Sequence, residues 1–170
     1  MPIYLVKLKT NLMIHHITAA SGIGYLPIAV ALLGLIVLYS LYTYNRIKPL
    51  KAAMTKVIDN MSDVSRTRKN LILNYDRENA GSPLAEAAAE LKKTSTDRFQ
   101  SYKKENSLIT TTNEAVAGLS EDGLKKEVQD LNAKQEALIK RLERTSETYN
   151  TFIKKAPASA VASLFGFRPF

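Results

Sequence analysis

Cysteine and tryptophan are both absent from this chain of 170 residues, and glycine and proline are sparse. Without cysteine there are no disulfide bonds and no thiolate metal ligands. The remaining composition is rich in Ala, Lys, Glu, Leu, Thr and Ser, which favours helices over sheets. The sequence therefore predicts an all-α fold.

Charge is absent from residues 10–45. Within this stretch, residues 23–44 are almost entirely apolar, and as a helix they would span roughly 33 Å. A bilayer core is about 30 Å thick, so we predict a transmembrane helix over residues 23–45. A buried core helix is the alternative. A permanent anchor is expected rather than a cleaved signal peptide, because the apolar core is too long and no A-x-A pattern follows it.

Residues 1–22 form an apolar arm that is interrupted by Lys7, Lys9, His15 and His16. We expect this arm to lie in the membrane interface or to pack on a neighbouring subunit. Adjacent histidines point to different sides of a helix, so the pair does not predict a shared metal site.

Basic residues are concentrated directly after the predicted span, beginning with Arg46, Lys48 and Lys51, within a formal net charge of +8. We predict that these three lie at the membrane interface, with membrane lipid as a partner. Their excess over Lys7 and Lys9 predicts a cytoplasmic bundle with the N-terminus outside. Nucleic-acid binding is not predicted, since aromatic residues do not alternate with the basic ones.

The helix is expected to continue through residues 46–79, with a possible kink site at Pro49. Apolar residues recur there at alternating spacings of four and three, which is a coiled-coil period interrupted by Arg68. We interpret Arg66, Arg68 and Lys69 as a solvated basic face with one inter-helix pairing. A turn at Gly81 should then reverse the chain.

Two further helices are predicted. The second begins at Ser82 and Pro83 and runs to Ala117, with a kink or break in residues 110–112. The third begins at Ser120 and ends before Pro157. Its heptad seam has Gln135 and Thr145 as polar layers, and its apolar members are Leu124, Val128, Leu131, Leu138, Leu142, Tyr149 and Phe152. Truncating Leu131 or Leu138 to Ala is expected to cost roughly 2–5 kcal/mol.

The last segment, residues 158–170, is too apolar to be left in water without a reason. Its large side chains are Leu164, Phe165, Phe167 and Phe170. They either close one end of the bundle or dock on a partner. Three helices that run outward, back and outward would leave these side chains at the end far from the bilayer.

The C-terminal pattern resembles that of the LemA family of small bacterial membrane proteins. It comprises Tyr149-Asn150, Pro157 and the final Leu164-Phe165-Gly166-Phe167-Arg168-Pro169-Phe170. A second similarity follows the span, in Tyr44-Asn45-Arg46 and in Arg68-Lys69-Asn70-Leu71-Ile72, where the family usually has Asp at the position of Asn70. The Ala-Trp pair typical of the family is missing. The resemblance implies one N-terminal span followed by a helical bundle, no agreed enzymatic activity, and, from some magnetosome-associated members, a role in organising membranes.

Residues for catalysis do not converge in the sequence. It has no Gly-rich phosphate loop, no H-E-x-x-H and no Glu-x-x-His pair, so we predict no enzyme, no cofactor, no metal and no small-molecule substrate. The predicted fold is a transmembrane helix leading into an antiparallel bundle of three long helices, residues 46–157, plus the short C-terminal segment. The expected function is a membrane-anchored scaffold, either a homo-oligomer or a subunit of a larger membrane complex. The alternative is an accessory subunit whose bundle binds a soluble partner in signalling or transport.

Overall fold

The computed structural model describes residues 24–79, 81–96 and 99–170. All regular structure within these ranges is helical, which confirms the all-α prediction. The arm predicted at residues 1–22, with its two histidines, lies outside the described residues. The helices are α1 (Leu26–Glu78), α2 (Ala85–Lys93), α3 (Tyr102–Ala117), α4 (Asp122–Lys154) and α5 (Ala158–Leu164).

Helix α1 contains the apolar segment and the first bundle helix in one piece of 53 residues, about 80 Å long. Pro27 lies in its first turn, where a missing N–H costs nothing. The helix runs through Pro49, so the carbonyl group of Asn45 loses its usual intrahelical donor there. At the other end Asn79 donates its backbone N–H to the Tyr75 carbonyl (2.9 Å), and Gly81 turns the chain with a φ of +81°.

Helices α1 and α4 are the central antiparallel pair of the bundle. Met54 and Val57 of α1 pack in one core cluster with Leu142 of α4, near the apolar segment. At the other end of the bundle, Ile72 of α1 packs with Val128 of α4. As residue numbers rise on one helix they fall on the other, so α4 runs back toward the apolar segment.

The second predicted helix is in fact two helices, α2 and α3. The chain leaves α2 at Thr94, whose backbone is extended, and α3 begins where the Ser101 hydroxyl oxygen accepts a hydrogen bond from the Lys104 backbone N–H (3.2 Å). The predicted break within residues 110–112 is not present, because these residues lie inside α3. Thr112 directs its hydroxyl to the Leu108 carbonyl (2.7 Å), which satisfies the group without interrupting the helix.

This extra reversal changes the position of the tail. The bundle has four antiparallel helices rather than three, namely the second half of α1 followed by α2, α3 and α4. An even number of passes returns the chain to its starting end. The prediction that the tail lies far from the apolar segment was therefore wrong, and Phe165 and Phe167 contact Tyr44 instead.

Two predicted helix starts are also displaced, that of α2 by two residues and that of α4 by one. Helix α2 begins at Ala85, and Ser82 directs its hydroxyl to the Asp76 carboxylate (3.5 Å) rather than capping the helix. Helix α4 begins at Asp122, with Glu121 at the N-cap position. The first main-chain hydrogen bonds of these helices run from the Ala88 N–H to the Leu84 carbonyl and from the Lys125 N–H to the Glu121 carbonyl.

Candidate membrane-interface site

The exposure of α1 changes at Thr43. Residues 24–42 are exposed apart from Tyr39 and Ser40, which are half-buried, although the segment is strongly apolar. Thr43 is the first fully buried residue, and Ile47 follows one turn later. The exposed segment is about 28 Å long by helical rise. By length and composition, α1 is long and apolar enough to cross a membrane.

The short helix α5 ends in a Schellman motif. Gly166 has a φ of +70°, and its N–H donates to the Ser163 carbonyl (3.2 Å). The next N–H, that of Phe167, reaches back to the Ala162 carbonyl (2.8 Å). These two bonds define the motif, and they direct Phe165 and Phe167 to different surroundings. Phe167 packs against the core cluster that contains Ala162, whereas Phe165 is half exposed.

Hydrogen bonds tie the tail to the end of α4. The Tyr149 hydroxyl donates to the Arg168 carbonyl (2.9 Å). The Asn150 side chain accepts from the Phe170 backbone N–H (2.9 Å) and donates to the Phe170 carbonyl (3.3 Å). The Phe170 ring also stacks on Phe99, with 6.1 Å between centroids. The tail thus folds back on its own chain.

Aromatic contacts join the tail to the beginning of the bundle. The Tyr44 ring lies 5.3 Å from the Phe165 ring and 5.9 Å from the Phe167 ring, measured between centroids. Leu164 and Phe165 remain 78% and 48% exposed at this place. Two large apolar side chains are therefore presented beside the end of the exposed apolar segment.

The three basic residues predicted at the membrane interface surround these aromatic rings. The Arg46 guanidinium donates to the Tyr42 hydroxyl (2.9 Å) and lies 5.2 Å from the centre of the Phe152 ring. The ammonium groups of Lys48 and Lys51 lie over aromatic rings, at 5.9 Å from the Tyr44 centroid and 5.7 Å from the Phe167 centroid respectively. All three basic side chains are exposed, so their charges can reach an external anionic surface.

The predicted seam of α4 divides into two groups. Three of its members are buried, namely Val128, Leu142 and Tyr149. The other four are only half-buried, namely Leu124, Leu131, Leu138 and Phe152. The buried face of α4 is Val128, Asn132, Gln135, Ile139, Leu142, Ser146, Tyr149 and Ile153. It has the predicted heptad spacing, but every second position is one residue later, so the face is rotated.

A buried polar layer separates the two apolar core clusters. Arg68 of α1 donates to the side-chain oxygen Oδ1 of Asn132 (2.7 Å), and the Asn132 side-chain Nδ2 donates to the Thr112 hydroxyl (3.0 Å) of α3. One turn along α4, Gln135 donates to the Glu105 carboxylate (2.9 Å) and to the Ser65 hydroxyl (3.1 Å). The layer therefore connects three helices through hydrogen bonds.

Arg68 corrects the prediction of a solvated basic face. It is fully buried, although Arg66 is exposed and Lys69 donates to the Thr94 carbonyl (2.7 Å). Burial lowers the pKa of Arg68 from its usual value, and the charge of Glu105 partly opposes this change. The Nε atom of Arg68 and the Oε1 atom of Gln135 are buried and have no hydrogen-bond partner among the described residues.

The heptad pattern predicts Gln135 as a polar layer but does not predict the burial of Asn132 or Glu105. Asn132 follows Leu131 directly, and the higher burial preference of leucine favours Leu131 as the seam residue. The signal that was available is Ile139 and Ile153, because both fit a seam that passes through Asn132 at heptad spacing. Among the described residues, no group of three or more His, Asp or Glu side chains is placed to hold a metal ion.

The described residues thus define an all-helical protein in which one apolar, exposed helical segment leads directly into an antiparallel bundle. A comparison with protein-family models, curated proteins and solved structures finds no match to this chain.

Proposed function

We propose that this chain is a membrane-anchored structural protein, in which residues 24–42 cross a bilayer and the bundle stands directly on the bilayer surface. The observation that carries the proposal is the continuity of α1. Its exposed apolar part and its buried part belong to one helix, with the change at Thr43. A helix exposed on all sides is stable in lipid, because its backbone is satisfied internally.

The proposed role is support of a larger membrane assembly, by self-association or with other membrane subunits. The buried faces of α1 and α4 are covered within the bundle itself, so they are not available to a partner. Outside the apolar segment, the described residues include few large exposed apolar side chains, namely Leu164, Phe165 and Phe170. The contacts between subunits are therefore proposed to lie along the span, whose surface is apolar on every side. The resemblance to LemA proteins supports this architecture.

The proposed orientation places the bundle in the cytoplasm of a bacterial cell. Arg46, Lys48 and Lys51 provide the local positive charge that favours this orientation. The exposed Lys154 and Lys155 at the end of α4 add charge on the same side, which suits the anionic inner leaflet.

The anchor can be tested by washing membranes that contain the full chain with alkaline carbonate. The chain should stay in the pellet. A variant with Leu33→Lys and Leu35→Lys should be released, because each charge at the centre of a span costs about 2.5–3.5 kcal/mol on insertion scales. Ala133→Lys, an exposed site on α4, is the matched control and should stay in the membrane. Release of the unaltered chain would refute the anchor.

Orientation and assembly need separate measurements. Protease added outside intact cells should leave the bundle intact, and its digestion would refute the cytoplasmic orientation. The protein extracted from native membranes in mild detergent should run as a large assembly. A particle that contains one copy of this chain alone would refute the supporting role. A small complex with one soluble protein would favour the accessory-subunit alternative.

A further inference from the structure

The apolar patch at the end of α5 consists of Leu164 and Phe165. Leu164 is 78% exposed and Phe165 is 48% exposed. The Schellman motif fixes this arrangement, because it turns Phe167 toward the core while Phe165 stays at the surface. In water such a patch is unfavourable, so a cover for it is expected.

The position of this patch along the axis of α1 indicates that the bilayer surface could cover it. The Phe165 ring lies 5.3 Å from the Tyr44 ring, and Tyr44 is two residues, or about 3 Å of helical rise, beyond the exposed apolar segment. On each side of a bilayer the headgroup region is about 5–7 Å thick. The patch therefore lies at the depth of the headgroups when residues 24–42 fill the hydrocarbon core.

The charge around the patch fits the same surface. Residues 42–52 and 150–170 contain no Asp or Glu, and their six basic residues are Arg46, Lys48, Lys51, Lys154, Lys155 and Arg168. All six are exposed. Along α4 the first carboxylates before this region are Glu147 and Glu143, which line a cavity with Lys154 and Phe170 and not with Leu164 or Phe165. Apolar side chains beside a group of exclusively basic residues are typical of segments that bind anionic bilayers.

We propose that the α5 end is a second membrane contact, in which Leu164 and Phe165 enter the headgroup–acyl boundary of the bilayer that holds α1. Lys154, Lys155 and Arg168 then contact anionic headgroups. This inference rests on the proposed anchor, and it adds a consequence. One helix would leave the bundle free to tilt and rotate about its axis, whereas two contacts fix which side of the bundle faces the membrane.

The absence of tryptophan allows a direct test with single-tryptophan variants of the full chain in vesicles of phosphatidylcholine and phosphatidylglycerol. Phe165→Trp reports on the patch, Leu35→Trp on the span, and Gln129→Trp on an exposed site at the far end of α4. Lipids with brominated acyl chains quench tryptophan that is close to them. We expect quenching and a shift of emission to shorter wavelength at positions 35 and 165, and neither change at 129.

The pattern of results separates the two proposals. Quenching at 35 without quenching at 165 overturns the second contact and leaves the anchor standing. No quenching at 35 overturns the anchor itself. Protection of position 165 from both the brominated lipid and a soluble quencher indicates a protein cover, such as a second copy of this chain, and also overturns the proposal. Leu164→Trp repeats the test at a side chain with little packing to lose, in case Phe165→Trp disturbs the tail.

The charge component has a matched control on the same helix. With Phe165→Trp as reporter, Lys154→Gln with Lys155→Gln should reduce quenching in vesicles that contain phosphatidylglycerol and leave it unchanged in pure phosphatidylcholine. Lys125→Gln with Lys126→Gln removes the same charge at the other end of α4 and should change neither. An equal effect of both pairs would show that net charge, rather than charge at this face, sets the contact, and would overturn the assigned role of Lys154 and Lys155.

Discussion

Arg68 is a charged side chain in the centre of the bundle. It donates to Asn132, and its buried Nε atom has no partner within the part of the chain that the structure describes. A buried charge is costly unless other groups compensate for it. The negative charge of Glu105, which is also buried, is the compensating group that acts on Arg68. Within the described part of the chain, Arg68 and Glu105 do not form a direct ion pair. Their charges therefore interact over a longer distance within the polar layer.

This arrangement predicts that Arg68→Met and Glu105→Gln are each destabilising and that their effects are not additive. Each single change leaves the opposite charge buried alone, whereas the double change removes both charges. We expect a favourable coupling of about 0.5–3 kcal/mol in a double-mutant cycle, measured by thermal or denaturant unfolding in detergent. Additive single effects would show that the two charges do not stabilise one another.

Tyr149 predicts a pH dependence. Burial raises the pKa of its hydroxyl above the usual value of 10.0. Above that pH the unfolded chain loses this proton while the folded chain keeps it, so the unfolding free energy decreases as pH rises further. Tyr149→Phe should make the alkaline loss of stability shallower. Below pH 10 it should cost about 0.5–1.5 kcal/mol, for the lost hydrogen bond to Arg168. Parallel curves for the two proteins above pH 10 would contradict the expectation.

At the scale of single elements, α5 depends on the left-handed backbone of Gly166. No atom outside its neighbours lies within 4 Å of a Cβ placed there, so the cost of Gly166→Ala is that of the backbone alone. We expect a loss of about 1–2 kcal/mol. Gly123→Ala is the matched control, because Gly123 is also open to solvent but lies within the helical backbone of α4.

Gly123→Ala should raise stability by about 0.5–1 kcal/mol, since alanine restricts the unfolded chain and favours the helix. Melting temperatures of the two variants should therefore move in opposite directions. A similar change in both would indicate that Gly166 does not need its positive φ for the fold of the tail.

Two leucines of α4 test whether its buried face is rotated relative to the face predicted from the sequence. Leu142 is fully buried, whereas Leu131 is half-buried and belongs to neither core cluster. Leu142→Ala should cost about 2–5 kcal/mol through lost burial and a cavity. Leu131→Ala should cost about 1 kcal/mol, which is typical of a substitution outside the core. Equal losses in chemical denaturation would favour the face predicted from the sequence.

The period of α4 could be predicted from its sequence, whereas its phase was indicated only by Ile139 and Ile153 and opposed by Leu131. Leu131 and Asn132 compete for one position, and burial preference alone assigns it to leucine. The structure instead buries Asn132, because Arg68 and Thr112 on two other helices supply its hydrogen bonds. Those partners are 64 and 20 residues away in sequence, and no local pattern reports them. The candidate interface was predicted in part, since Arg46, Lys48 and Lys51 follow the apolar segment directly in the sequence.

For the whole molecule, the position of the tail depended on counting chain reversals. The reversal between α2 and α3 is marked by the cap residues Thr94 and Ser101, which lie inside the single helix predicted to run to Ala117. One missed reversal moves the tail to the other end of the bundle. The total number of passes is a global property, so an error in one short connection displaces every later segment.

The tail therefore closes the bundle next to α1, and its removal has a defined expected effect. Deleting residues 158–170 from the full chain removes the contacts of the buried Val161 and the partly buried Phe167, together with the hydrogen bonds at Tyr149 and Asn150. Burial of a valine side chain alone contributes about 1.5–3 kcal/mol, and each hydrogen bond adds about 0.5–1.5 kcal/mol. We expect a loss of at least about 3 kcal/mol in unfolding experiments in detergent. Leu164→Ser, on the exposed side of the same segment, is the control and should leave stability nearly unchanged. If the truncated chain is as stable as the full chain but its assemblies dissociate, the tail acts between subunits rather than within one.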